Sequence, residues 1–128
     1  MSPLGADQPH LPRQTVINSH GEGGFRFAGM SHRGSILSLP SGIRAWPVEQ
    51  AADIDEVALA AVFAEAAGIE MFLMGAGRDP WVLPEALRWA FRDHRIGVDV
   101  MSTGAAVRTY NIVLAEGRRV AAALIAVD

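Results

Sequence analysis

The sequence predicts a mixed α/β fold, an N-terminal antiparallel meander of strands followed by a β-α-β-α-β half. Three observations carry that expectation. Of the 128 residues, 50% are apolar and 20% charged, a globular balance able to bury one core. Between Thr15 and Pro47, short apolar stretches alternate with glycine-rich separators, as in strands joined by tight turns. From Asp53 onward, apolar residues at helical spacing alternate with short apolar runs. Strands joined through helices favour parallel pairing and glycine turns favour antiparallel pairing, so the sheet is expected to be mixed.

Taken in order, residues 1–14 hold Pro3, Pro9 and Pro12 and no periodicity, which predicts a disordered leader ahead of one α/β domain over residues 15–128. The meander strands are expected at Val16-Ile17, Phe25-Arg26-Phe27, Ile36 to Leu39 and Ile43 to Trp46. Their separators are Gly21 to Gly24, Gly29 to Gly34 and Pro40-Ser41-Gly42. Asp53, three residues before Glu56, has the spacing of a capping box and predicts a helix carrying Leu59, Val62, Phe63 and Ala66 up to Gly68. Ile69 to Met74 suits a strand covered on both faces. Pro84 opens a second helix with Leu83, Leu87, Ala90, Phe91 and His94 on one face, ended by Gly97. Val98 and Val100 alternate about Asp99 as a strand, Thr103 is placed to cap a third helix from about Gly104 to Glu116, and Val120 to Val127 closes as a strand.

Composition excludes several chemistries. All eleven basic residues are Arg, which removes Schiff-base chemistry and the phosphate-loop lysine. The absence of cysteine removes disulfides, thiolate nucleophiles and zinc–sulfur sites and agrees with a reducing, cytoplasmic location. Net charge is −3 with the arginines scattered along the chain, so nucleic acid is not an expected partner. No apolar run approaches the roughly 18 residues of a membrane-spanning helix, and Met1 to Arg13 lacks a signal-peptide pattern. His20, His32 and His94 have no second ligand at metal spacing, and Asp53, Asp55 and Glu56 cluster where a helix start favours negative charge. No metal, cofactor or catalytic residue set is expected.

Two loops carry the ligand-binding expectation. Gly75-Ala76-Gly77-Arg78 follows a strand at the end where open α/β sheets bind ligands. Its glycines would admit an anion to the backbone and Arg78 could hold it, the alternative being a tight turn that needs unusual backbone angles. Thr103 and Gly104 stand where a strand meets a helix, an anion-favouring place, the alternative being ordinary capping. If the preceding strands are parallel neighbours, Gly75, Gly77 and Arg78 join Thr103, Gly104, Arg108 and Asn111 around one site for a small anionic ligand. Ser102 or Thr103 as a nucleophile lacks an adjacent base. Separately, Trp89 falls off the apolar helical face beside Arg88 and Arg92, a combination enriched at protein interfaces. The alternative is Trp89 packed against the chain's own sheet.

Gly34-Ser35-Ile36-Leu37, Leu39-Pro40, Trp46, Gly75-Ala76-Gly77, Thr103-Gly104-Ala105-Ala106, Arg108-Thr109-Tyr110-Asn111 and the stretch Leu114 to Leu124 resemble a small domain family of unknown function. Its eukaryotic branch includes mitochondrial complex I assembly factor three and an adipogenesis-associated domain protein. The resemblance runs from about Val16 to Val127 and implies a three-layer β/β/α architecture. Many relatives have Asp and Cys where this chain has Ser102 and Val107, so no role resting on those groups carries over. The family implies no reaction. The expectation is therefore a non-enzymatic binding or assembly-type module with a protein partner, respiratory-complex assembly being implied by the resemblance alone. The alternative is an anionic-ligand binder or enzyme at the two loops.

Overall fold

A five-stranded mixed sheet carries both hydrophobic cores of the chain, and the computed structural model describes residues 10–128. The chain first forms β1 (Ser19–Gly21), β2 (Gly24–Phe27) and β3 (Met30–Arg33), a separate antiparallel sheet in that order. Both of its turns have two central residues at positive φ, Glu22 (52°) with Gly23 (79°) and Ala28 (51°) with Gly29 (74°). That is the turn whose twist matches paired strands. There follow β4 (Ile36–Leu39), β5 (Gly42–Ala45), α1 (Ala60–Ala64), β6 (Met71–Gly75), α2 (Glu85–Asp93), β7 (Gly97–Met101), α3 (Thr103–Ala115) and β8 (Val120–Leu124). The large sheet runs β5-β4-β8-β6-β7, with β6 parallel to β7 and β8, and β4 antiparallel to β5 and β8.

Alternation along β8 divides the interior. Val120, Ala122 and Leu124 face a core with Phe25, Phe27, Ile36, Leu73 and Tyr110, where α3 and the small sheet lie. Ala121, Ala123 and Ile125 face a core with Leu59, Val62, Phe72, Leu87 and Phe91, where α1 and α2 lie. The mixed, layered architecture is as expected, the second β layer being the small sheet. Small residues set the spacing: a Cβ on Gly75 would stand 3.1 Å from Ala106 Cβ, 3.1 Å from Thr103 Cα and 3.0 Å from Leu124 Cδ2.

Several element boundaries differ from the pattern reading. Val16-Ile17 is not a strand, while Ser19–Gly21 and Met30–Arg33, assigned in whole or part to separators, are. Their polar, glycine-flanked sequences hide a ladder that only pairing with β2 makes visible. Asp53 does not cap α1; it ends a 3-10 turn at Ala51–Asp53, and Asp55 Oδ1 instead accepts the Ala58 N–H at 2.8 Å. The helix is short because the Trp46 indole N–H takes the Ala58 carbonyl at 2.9 Å, fastening this stretch to the core as turns. On α3 the cap is Ser102, one residue before the expected Thr103, with Ser102 Oγ accepting from Ala105 N at 3.3 Å.

Of the expected leader, residues 1–9 lie outside the described residues. Residues 10–14 are tied to the fold: the Leu11 carbonyl accepts from Ile43 N at 2.9 Å, and the Gln14 amide donates to the Val120 carbonyl at 2.8 Å. The His10 ring lies 4.6 Å from that of His32, and burial, then the His10 charge, lowers the His32 pKa from its ordinary value. Among the described residues, no helix is long and apolar enough to cross a membrane.

The contact of α3 with β6 leads to a first test. Gly75→Ala is expected to destabilise by about 1–3 kcal/mol through overpacking. A urea denaturation midpoint unchanged in the variant would show that the helix can yield.

Candidate functional site

Because β6 and β7 are parallel neighbours, the Gly75 and Thr103 loops leave the same end of the sheet and meet. Thr103, with 0% exposure, accepts the Gly77 N–H on its hydroxyl at 3.0 Å and donates that hydroxyl to the Ile125 carbonyl at 2.7 Å. Its own N–H goes to the Gly77 carbonyl at 2.9 Å, and Ala76 N donates to the Met101 carbonyl at 2.9 Å. One hydroxyl thus joins the ends of β6, α3 and β8. Gly77 holds φ 96°, the left-handed region that favours glycine.

The seven expected ligand residues fall into four places. Gly75, Gly77 and Thr103 form that junction. Exposed Arg78 donates to the Asp128 carbonyl and lines a groove of about 440 Å³ with Glu49, Gln50, Asp79 and Trp81. Gly104 and Arg108 lie by β1, since a Cβ on Gly104 would stand 3.1 Å from His20 Nε2 and 3.6 Å from Arg108 Nη1. Asn111 binds backbone: its Oδ1 accepts from Ile17 N at 2.8 Å and its Nδ2 donates to the Ile17 carbonyl at 2.9 Å. Neither Arg108 nor Asn111 lines the Arg78 groove. The roughly 100° turn per helical residue aims Thr103 inward and its neighbour Gly104 toward β1.

A buried polar chain, which pattern reading passes over, lies beneath α3. Tyr110 donates its hydroxyl to the Thr15 carbonyl at 2.8 Å and pairs with Ser38 Oγ at 2.7 Å; Gln14 Nε2 reaches the same Ser38 oxygen at 3.3 Å. Burial pushes the Tyr110 pKa up to about 12. The available signal was Ser38 alone within the apolar run of β4. With Asn111, these groups fasten segment 14–17 across α3.

On the opposite face, Trp89 is 52% exposed, with its indole N–H 3.4 Å from Glu85 Oε1 and Arg92 Cζ 5.0 Å from the ring centroid. Arg88, Trp89, Phe91, Arg92, Ile96 and Val98 line a groove of about 450 Å³ between α2 and β7. Among the described residues, β7 is an edge strand paired only with β6. Gly97 N donates to Glu70 O and Met101 O accepts from Ala76 N, so Gly97, Asp99 and Met101 turn their backbone groups inward. Val98 and Val100, alternating with them, turn theirs to the free edge. His94 stacks on Phe63 at 4.4 Å, and its Nδ1 lies 2.8 Å from the Ala90 carbonyl. Among the described residues, no three His, Asp or Glu side chains are grouped to hold a metal ion.

Two outcomes follow from this geometry. Thr103→Val, similar in shape, is expected to cost about 1–3 kcal/mol for each buried partner left unpaired, whereas Thr103→Ser retains most of the stability; equal thermal midpoints for Val and Ser would remove the bridging role. For Tyr110, the folded state keeps the proton to about pH 12, whereas the ordinary value is 10.0. The corresponding stability is full below pH 10.0 and is lost as pH rises through about 12. Tyr110→Phe should lack that alkaline decline in urea titrations, and a decline equal to wild type would refute the assignment.

Residues 17–125 match the family described as Protein of unknown function (DUF498/DUF598). An uncharacterized Rhodobacter capsulatus protein is 38% identical over 118 residues, covering 92% of this chain and 90% of that protein. NADH dehydrogenase (ubiquinone) 1 alpha subcomplex assembly factor 3 of Mus musculus is 30% identical over 118 residues; the match takes in 92% of this chain but 64% of the mouse protein. The crystal structure of a Bartonella henselae protein described as an outer membrane protein superposes with a TM-score of 0.89 at 48% identity, covering 93% of this chain and 100% of that one. This chain belongs to the DUF498/DUF598 family.

Proposed function

We propose that the chain is a non-enzymatic binding module of the assembly-factor kind that docks a protein partner on the face formed by α2 and β7. The observation that carries this reading is Trp89, 52% exposed with Arg92 over its ring, beside an apolar groove and a free strand edge. A partner side chain filling the groove would desolvate the indole, and an extended partner segment would find the Val98 and Val100 backbone groups unpaired. Asp99, exposed on the same strand, disfavours β7 pairing with its own copy in the antiparallel register centred on residue 99, where two carboxylates would stand opposite each other.

The likeness to assembly factor 3 supports the same class, and by that likeness the partner is a subunit of a respiratory complex under assembly. A cytoplasmic location accompanies this reading and agrees with the cysteine-free sequence. The alternative of an anionic ligand between the Gly75 and Thr103 loops has less support, because the polar groups there are spent on one another.

Tagged chain expressed in its own host is expected to co-purify a reproducible protein partner. Trp89→Ala with Arg92→Ala should reduce recovery at least about tenfold while leaving the thermal midpoint near wild type. Equal recovery with the double variant, or no reproducible partner, would overturn the proposal.

A further inference from the structure

Residues that are scattered in sequence become one donor-rich surface on the small sheet. Ser19, Arg26 and Ser31 are in register across β1, β2 and β3, so they project from the same side. Phe25, one residue away, is 2% exposed and turns to the core, which directs the Ser19-Arg26-Ser31 row to solvent. Arg33, two residues after Ser31, shares that outward side diagonal to Arg26, and its Nη1 lies 3.9 Å from the place a Cβ on Gly23 would take. None of these four side chains has a hydrogen-bond or ion-pair partner among the described residues. They line a depression of about 650 Å³ whose only carboxylate among the described residues is Glu22, in the β1–β2 turn.

Charge reinforces the geometry. Glu22 is the sole acidic residue between His10 and Val48, a stretch that includes Arg13, Arg26, Arg33 and Arg44, although the whole chain carries −3. Two tight turns at positive φ hold the three strands, so bringing the two guanidinium groups to one anion requires ordering of the side chains but not of the backbone.

We infer that this outer face binds a soluble phosphate monoester of a small polyol. Arg26 and Arg33, diagonal neighbours about 7–8 Å apart at Cα, can grip separate phosphate oxygens, and the forked guanidinium suits each grip. The Ser19 and Ser31 hydroxyls donate to the same group. Glu22 repels a bare anion but accepts from a hydroxyl, which selects a ligand carrying both functions. The site lies on a different layer from α2 and does not depend on the docking reading.

The test uses the full chain, ¹⁵N-labelled, titrated with glycerol 3-phosphate, inorganic phosphate and glycerol, with phosphatidic acid vesicles as a separate arm. Glycerol 3-phosphate is expected to bind most tightly and to shift amides within Ser19–Gly34. Arg26→Gln with Arg33→Gln, both exposed and outside the core, should raise its Kd at least about tenfold. Raising salt from about 50 to about 300 mM should weaken binding several-fold. Glu22→Gln should tighten inorganic phosphate and erase the preference for glycerol 3-phosphate over it. Shifts located elsewhere, an unchanged Kd in the double arginine variant, or binding to vesicles without binding to glycerol 3-phosphate would each overturn the inference.

Discussion

The close approach of α3 to the large sheet is the constraint from which the rest of the molecule follows. Gly75, Ala106 and Ala122 keep side-chain bulk out of that contact, so Thr103 can reach Gly77 and Ile125 at once. The helix then becomes the support for what lies over it. Its inward residues complete one core with Phe25 and Phe27, and its Tyr110 and Asn111 hold the segment leading into β1. With a bulky residue at any of the three small positions, the helix would stand off, and both the hydroxyl bridge and the grip on segment 14–17 would lengthen together.

That dependence explains how the functional surfaces are separated. The junction of the Gly75 and Thr103 loops, where open α/β sheets commonly carry ligands, is given to structure. Groups with spare valence lie elsewhere, on the outward side of the small sheet and on the edge formed by α2 with β7. The two surfaces differ in chemistry. The first offers cations and hydroxyls on a rigid ladder, and the second an aromatic ring, aliphatic side chains and backbone groups.

Much of the fold was legible because periodicity reports burial. Leu87, Ala90 and Phe91 share a helical face, and the apolar run ending at Met74 is a strand buried on both sides. What escaped was information held between distant residues. β1 and β3 are polar, and only their pairing partners identify them as strands. Asp53 had the right spacing for a cap, but Trp46 drew the Ala58 carbonyl and reorganised that turn. At the candidate site, the two loops leave one sheet end because the strands before them pair in parallel, the condition on which their meeting depended, while sequence could not say that Asn111 spends its amide on Ile17. Likewise, arginines that look dispersed along the chain are gathered by hairpin register into a patch.

The position of β8 has a consequence for how the molecule is made. Of the eight strands among the described residues it is the last to be synthesised, yet it sits between β4 and β6. During translation β5-β4 and β6-β7 can each pair, but the two halves have no common ladder and expose the alanine-lined gap that β8 will fill. Closure therefore waits until the final strand clears the ribosome. The nascent chain must keep two apolar edges apart from other strands until then, a long-range assembly of the kind that proceeds slowly and invites chaperone contact.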